Sequence, residues 1–551
     1  MSPMQPVAPL ALAPLTTRRR LGAAGTLALV ALAGTACGGG STPSAGGQAA
    51  GKAYASGGTL TVAQAQDPGA LDPQLTALSS TRAVARLAYD TLLNTDADGT
   101  LISGLADTWE STQTSVTYHL RSGVTCADGS PLKATDVAAN FTFVGNPKNA
   151  SPLLGIGAPA GVKATADDAA GTVVLKTAAA TPFLLETTGT GLMIVCGKGL
   201  ADRTSLAHAT DGTGMYTLTE QVPNDHYTFT RRTDYAWGPD GSTSTYEGVP
   251  EKVVVKIVAS PATAMNLLLA KQVNIAGGGD AEVARAKAAG LQGQGQAAPA
   301  GELWFNQAEG HPGADDAVRR ALVGSLDVTQ VGSVLTGGLG VPSKGLVTLE
   351  PKVCEGDTVT GNLPQVTPAE AEQLLDQAGW VKGADGMRSK DGKPLAFTFI
   401  VPASVGDNGA PGTELLASTW KTLGASVKIN QASDSVLQTA LFSTGEWDAG
   451  FVPLGVNLPT QYTGFVSGAT PPTGTNFAHI ENPAFDAAVE QASGLLGDAA
   501  CAKYDEAEKA LITDVDVAPL VDKQTVFYAN GAEFRLDSDG VVTQSMKLLA
   551  G

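Results

Sequence analysis

Residues 367–431 constrain the fold class more tightly than any other stretch. "TPAEAEQLLDQAGW" (367–380) places Thr367 at a helix N-cap, Pro368 at the first helical position and Glu370 three residues after the cap. That spacing lets the threonine hydroxyl and the glutamate carboxylate each satisfy an amide that a helix start leaves open. Gly379 supplies the stop, because glycine enters the left-handed conformation without steric cost. "PLAFTFIV" (394–401) then reads as a buried strand and "ASVKINQ" (425–431) as a second. Helix and strand in this alternation require an α/β layer, with helices covering a sheet.

The N-terminal text places that α/β body outside the cytoplasm. Arg18, Arg19 and Arg20 precede an uncharged, mostly small or apolar run, Leu21 to Ala36, which ends in Gly34-Thr35-Ala36 and is followed by Cys37. A basic n-region, an apolar h-region and a small-residue cleavage site make a secretory signal. The run, about 16 residues, falls short of the roughly 20 that span a bilayer. A cysteine directly after the cleavage point predicts a lipoprotein signal, with residues 1–36 removed and Cys37 acylated. Gly34 stands where such signals usually carry leucine, and Thr17 to Leu21 is also similar to a twin-arginine signal. Both routes lead out of the cytoplasm. Residues 37–57 then read as the lipidated cysteine and a flexible Gly/Ser linker.

Removing residues 1–36 from 551 leaves 515, more than one hydrophobic core supports, so two or three domains are expected. The formal charge of −18 argues against a nucleic-acid partner and against a basic membrane-surface module. Four cysteines remain in the body: Cys126, Cys196, Cys354 and Cys501. An even number in an exported chain predicts disulfides, with three possible connectivities. No C-x-x-C or Cys/His spacing supports a zinc site, so no metal is expected.

Further local signals run along the body. Thr59 to Ala63 reads as a strand, and Thr81 to Leu93 as a helix from the spacing of Val84, Leu87, Ala88 and Leu92. "DADG" (96–99) is a hairpin-type turn, "SVTYHL" (115–120) a strand, and Thr135-Asp136 a helix start. Within this text stand "YDTLL" (89–93), "LADTWE" (105–110), "TYHLRSGV" (117–124) and "DGSPLKATDV" (128–137), in that order. Later come "GTGMY" and "DYAWG" (within 212–238), "KVVVKIVASPATAMNLLLAKQVNIAGG" (252–278), "ELWFNQ" with "DDAVRRALVGSLD" (within 302–327) and "EAEKALITDVDVAPLVDKQTVFYANG" (506–531). This ordered series resembles the family 5 solute-binding proteins of ABC importers, the dipeptide-, oligopeptide- and nickel-binding receptors, over residues 58–535.

The resemblance implies an α/β, two-lobed fold of the type II periplasmic-binding-protein kind, with an extra domain inserted into the first lobe. On that pattern residues 58–90, 210–300 and 518–551 build lobe one, 91–209 the insert and 301–517 lobe two. It favours Cys126–Cys196 and Cys354–Cys501, since each pair then falls within one of these regions. It also implies a monomer without cofactor, anchored by lipid to the outer face of the membrane. The lobes would close on a peptide or peptide-like solute, which passes to an ABC permease and its ATPase. A cell-surface sensor or scaffold of the same fold, without transport, is the alternative.

Peptide-binding relatives carry an aspartate for the ligand's ammonium group after the strand that here ends near Trp447-Asp448. Counting from Trp447-Asp448, its place falls near Asn457, and a neutral amide does not offset the desolvation of a cation as a carboxylate does. Candidate cleft residues are Trp304, Asn306, Asn457, Tyr462, Phe465, Asn476 and Phe477, the aromatics as apolar walls and the amides as hydrogen-bonding groups. Trp109 and Trp380 are assigned to the core. An enzyme is not expected. Ser130-x-x-Lys133 matches a penicillin-binding nucleophile motif, but no Lys-Thr-Gly accompanies it. The chain also lacks G-x-S-x-G and H-E-x-x-H.

Overall fold

Thr59–Gln64 is the centre of the larger sheet, pairing in parallel with Lys252–Ile257 on one side and Ile275–Gly278 on the other. The computed structural model describes residues 53–76, 78–96, 99–402, 405–406 and 408–550, so the stretch read as an export signal and Cys37 lie outside the described residues. Outward from the centre, the sheet adds His226–Arg231 and Tyr216–Val222 on one flank and Val521–Ala529 and Gly293–Pro299 on the other. Val341–Pro342 joins Val521–Ala529 as a short extra edge. One face packs on a four-stranded antiparallel sheet drawn from residues 106–176 and on the helix Ala134–Val144. The other face is covered by Pro261–Leu269 and Asp280–Ala288.

The second lobe is built on a five-stranded sheet ordered Ser426–Ala432, Ala396–Pro402, Ala449–Phe451, Glu302–Phe305 and Val517–Pro519. The two strands expected near 394–401 and 425–431 lie side by side in parallel, from Ala396 with Ser426 to Pro402 with Ala432. Successive side chains enter opposite cores: Phe399 joins the core that holds Trp420 and Leu322, and Ile400 the one that holds Trp304 and Leu511. The Thr367–Glu370 capping box forms, and Gly379 takes φ +87° just past the helix end. Cys126 bonds to Cys196 in the first half of the fold, and Cys354 to Cys501 in the second.

The chain passes between the two large sheets at residues 299–302 and returns at 519–522. The crossings lie against each other, Pro299 paired with Asp522 and Glu302 with Pro519, joined by the Leu520 amide donating to the Gly301 carbonyl (2.9 Å). Glu302 and Asp522 are buried at this junction. Burial pushes the Asp522 carboxyl up to about 6, with Ser343 and Lys352 offsetting only part of the rise.

One expectation is corrected. The helix that apolar spacing extends to Leu93 stops at Ala85, with Arg86 as its cap. Beyond it the backbone turns to another partner: the Gly214 amide donates to the Ala88 carbonyl and the Tyr216 amide to that of Leu87, each at 2.9 Å. A Cβ on Gly214 would lie 2.4 Å from the Ala88 carbonyl carbon, so this approach requires glycine. Asp90 follows, buried, and its carboxylate accepts from Thr213 Oγ1 (2.9 Å), Tyr235 (3.1 Å), Trp237 Nε1 (3.2 Å) and Gln544 Nε2 (3.4 Å). Burial raises its pKa, against the pull of these bonds.

Two stability measurements test these assignments. Removing the Asp90 carboxylate leaves several buried donors without an acceptor, so Asp90→Ala is expected to cost about 3 kcal/mol in urea unfolding, and Asp90→Asn less. A loss below about 1 kcal/mol for Asp90→Ala would exclude the hub role. For Asp522, the folded protein holds a proton that the unfolded chain releases near its ordinary value of 3.8. Stability contributed by this group therefore falls as pH rises from about 4 to about 6, by on the order of 3 kcal/mol. Asp522→Asn should remove that fall, and an unchanged pH profile would refute it.

Candidate functional site

A cavity of about 320 Å³ lies between the two lobes, with walls from both. Its first wall runs from Arg82 and Arg86 through Asp90 to Thr95, and on to Leu153, Ile156 and residues of 186–193. Leu349, the loop 453–458, Gln461 and Phe465 form the opposite wall, and Asp537, Ser538, Asp539 and Gln544 form part of the rim. Apolar groups such as Leu93, Met193, Leu454 and Phe465 alternate with hydroxyls and amides from Thr91, Asn94, Thr187 and Asn457. Mixed lining of this kind suits a small solute with both apolar and hydrogen-bonding parts.

Both arginines are already paired with carboxylates. Arg82 and Arg86 stand one turn apart, so both face the hairpin of Leu536–Asp537 and Gly540–Val541. Arg82 grips Asp539 through Nε (3.0 Å) and Nη2 (2.9 Å), and Arg86 grips Asp537 through Nη1 and Nη2 (both 2.5 Å). Burial by itself would raise the Asp539 carboxyl, but the Arg82 guanidinium holds it below the usual carboxylate range. Glu186 has no such match. Burial raises its pKa, its carboxylate accepts only from its own backbone amide, and no cation among the described residues pairs with it.

The helix Leu184–Thr190 that carries Glu186 is fixed from two sides. Tyr118 on the four-stranded sheet places its hydroxyl 2.6 Å from Thr188 Oγ1. At the other end Phe183 is buried among Leu458, Ala492, Ala500, Tyr504 and Cys354 of lobe two, its ring 5.8 Å from that of Tyr504. Phe183 holds φ +53°, a left-handed conformation costly for a bulky residue, so the burial of its ring outweighs local strain.

The lobe-two wall is equally held. Glu302 Oε2 at the crossing accepts from the Leu454 amide (2.5 Å), which ties the cavity loop to the inter-lobe junction. Gln461 Oε1 accepts from the amides of Asn457 (3.0 Å) and Leu458 (3.3 Å), and Val456 O accepts from Thr348 and Leu349.

Of the seven residues put forward from sequence, Asn457 and Phe465 line this cavity. Trp304, Asn306, Asn476 and Phe477 do not; they are buried inside lobe two. Trp304, Phe442, Trp447 and Phe465 surround the Phe477 ring with centroids 5.0–6.1 Å away. Asn306 bridges Trp447 O and the Ala308 amide, and Asn476 closes a turn through Ile480. Tyr462 lines a separate space of about 10 Å³ beside Glu508. Trp380 is buried and Trp109 packs on the core edge. The arginines were readable as an i, i+4 pair, whereas nothing in the text around Glu186 singles it out. Among the described residues, no cluster of three or more His, Cys, Asp or Glu could hold a metal ion, and no helix is long and apolar enough to cross a membrane.

Residues 100–476 match the sequence model of the bacterial extracellular solute-binding proteins, family 5. The chain is 27% identical over 500 residues to the periplasmic murein peptide-binding protein MppA of Escherichia coli, spanning 84% of this chain and 87% of that one. A substrate binding protein from Microbacterium hydrocarbonoxydans, solved with 4-hydroxybenzoate hydrazide, has a TM-score of 0.72 at 24% identity, covering 89% of this chain and 99% of its own. The oligopeptide-binding protein AppA of Bacillus subtilis, solved with a nonapeptide, has a TM-score of 0.71 at 18% identity, covering 90% and 99%. The chain therefore belongs to the family 5 bacterial extracellular solute-binding proteins.

Proposed function

We propose that this protein is the membrane-anchored receptor of an ABC importer, capturing an oligopeptide or peptide-like solute between its lobes and delivering it to the permease. The observation that carries the reading is the inter-lobe cavity, walled by both lobes and set beside two adjacent chain crossings. Bending at 299–302 and 519–522 opens and closes it. Contacts made only when the lobes meet, Phe183 in its lobe-two pocket among them, favour the closed state, and a ligand touching both walls shifts the population further. Asn457 and Phe465 contact ligand from lobe two. Cys37 carries the lipid, and the Gly/Ser tract gives the body reach to solute and permease. No bond is made or broken in this cycle. Peptides recur among what the relatives are described as binding, and a cavity near the small end of ligand sites suits short ones.

Native mass spectrometry of the purified protein, before and after mild denaturation, should show retained small masses that are lost on unfolding. Short peptides in excess should raise the melting temperature, a hundredfold excess over Kd stabilising by about 2.7 kcal/mol. No retained mass and no shift with any peptide from two to five residues would overturn the reading. Phe183→Ala should leave the protein folded but speed ligand release about tenfold or more, because the closed state loses a buried ring. An unchanged release rate in stopped-flow measurements would remove Phe183 from the closing mechanism.

A further inference from the structure

The charges that line the cavity are unequal in how they are satisfied. Two arginines and four carboxyls face it: Arg82, Arg86, Asp90, Glu186, Asp537 and Asp539. Arg82 is held by Asp539 and Arg86 by Asp537, each through two hydrogen bonds. Asp90 accepts from four neutral donors. Glu186 alone among them lacks a side-chain partner among the described residues, although its helix is fixed by Thr188 on Tyr118 and by Phe183 in lobe two. Asn457, on the opposite wall, likewise has no hydrogen bond to its side-chain amide among the described residues, so that wall supplies no competing charge.

We infer that Glu186 is the residue that selects the ligand, by pairing with a cationic nitrogen: the α-ammonium of a peptide with a free amino end. The inference rests on the peptide reading above and assigns its polarity, with the amino end on the insert side of the cleft. A half-buried carboxylate without counter-charge is costly to keep ionised, and a ligand ammonium supplies both the charge and the donors it lacks. The two arginine–carboxylate pairs leave no free cation on the walls to compete for Glu186.

The test uses an equimolar pool of tripeptides with free amino ends, mixed with the same tripeptides N-acetylated, and reads retention on the purified protein by native mass spectrometry. The wild-type protein should prefer the free-amine forms by at least about tenfold, and Glu186→Gln should abolish the preference. Glu186→Ala, checked for cooperative melting, gives the same readout should the amide variant not fold. Equal retention of free and acetylated forms by the wild-type protein overturns the inference while leaving the peptide reading intact. A preference that survives in both variants also overturns it, since the ammonium is then read elsewhere. If neither pool is retained the peptide reading fails, and the inference falls with it.

Discussion

A carboxylate buried without a cation is the interaction on which the ligand wall depends. Asp90 is buried at the edge of the cavity, so most of its lone pairs must be filled by the protein. The donors come from three segments far apart in the chain: Thr213, then Tyr235 and Trp237, then Gln544. Gathering them brings the C-terminal region and the 212–238 stretch against the end of the first helix. The close approach of 212–214 to Ala88 and Tyr89 leaves no room for a Cβ at Gly212 or Gly214. The same pairing ends the helix at Ala85 and aims Thr91 to Thr95 at the cavity. The words "YDTLL", "GTG" and "DYAWG", separate in the text, are thus one cluster in space.

The second constraint is mechanical. The lobes share two crossings that lie side by side, and Glu302 at the crossing holds the Leu454 amide of the cavity loop. Movement at the junction and the position of the lobe-two wall are therefore not independent. Phe183 adds a contact between the lobes that is separate from the two crossings. A strained backbone persists only where surrounding packing over-determines it. Here that packing belongs to the other lobe, so the strain and the lobe contact stand or fall together.

Regular structure was legible in the sequence wherever local signals and tertiary packing agreed. Thr367-Pro368-x-Glu370 gave its helix start, and the apolar run 394–401 gave a strand in the second sheet within two residues at each end. The helix through Leu93 was over-extended because periodicity reports a face to be buried and not which backbone partner wins. Leu87, Ala88 and Leu92 are buried, as the spacing implies, yet outside a helix. The site was less legible. Aromatic residues in 304–477 carry the same apolar signal whether they wall a cleft or fill a core, and Trp304 and Phe477 fill the core. Glu186 and the Asp537–Asp539 hairpin reach the cavity only through topology, which spacing along the chain does not encode.

The charges lining the cavity divide into those consumed by the framework and those that are not. Arg82 and Arg86 are paired with carboxylates of a C-terminal hairpin, so their charge is neutralised within the wall they build. The lobe-two wall is made largely of backbone and apolar surface in the loop 453–458, pinned by Gln461 and Glu302 rather than by groups pointing at the solute. Such a frame leaves specificity to a few side chains that no framework bond consumes. On the proposed receptor reading, changing one of them would alter which solute is favoured while leaving the Asp90 cluster and the two crossings in place. Selectivity would then rest mainly on such side chains and closure on the crossings, coupled where Glu302 holds the Leu454 amide. A substitution that moves only ligand preference or only release rate would separate the two roles.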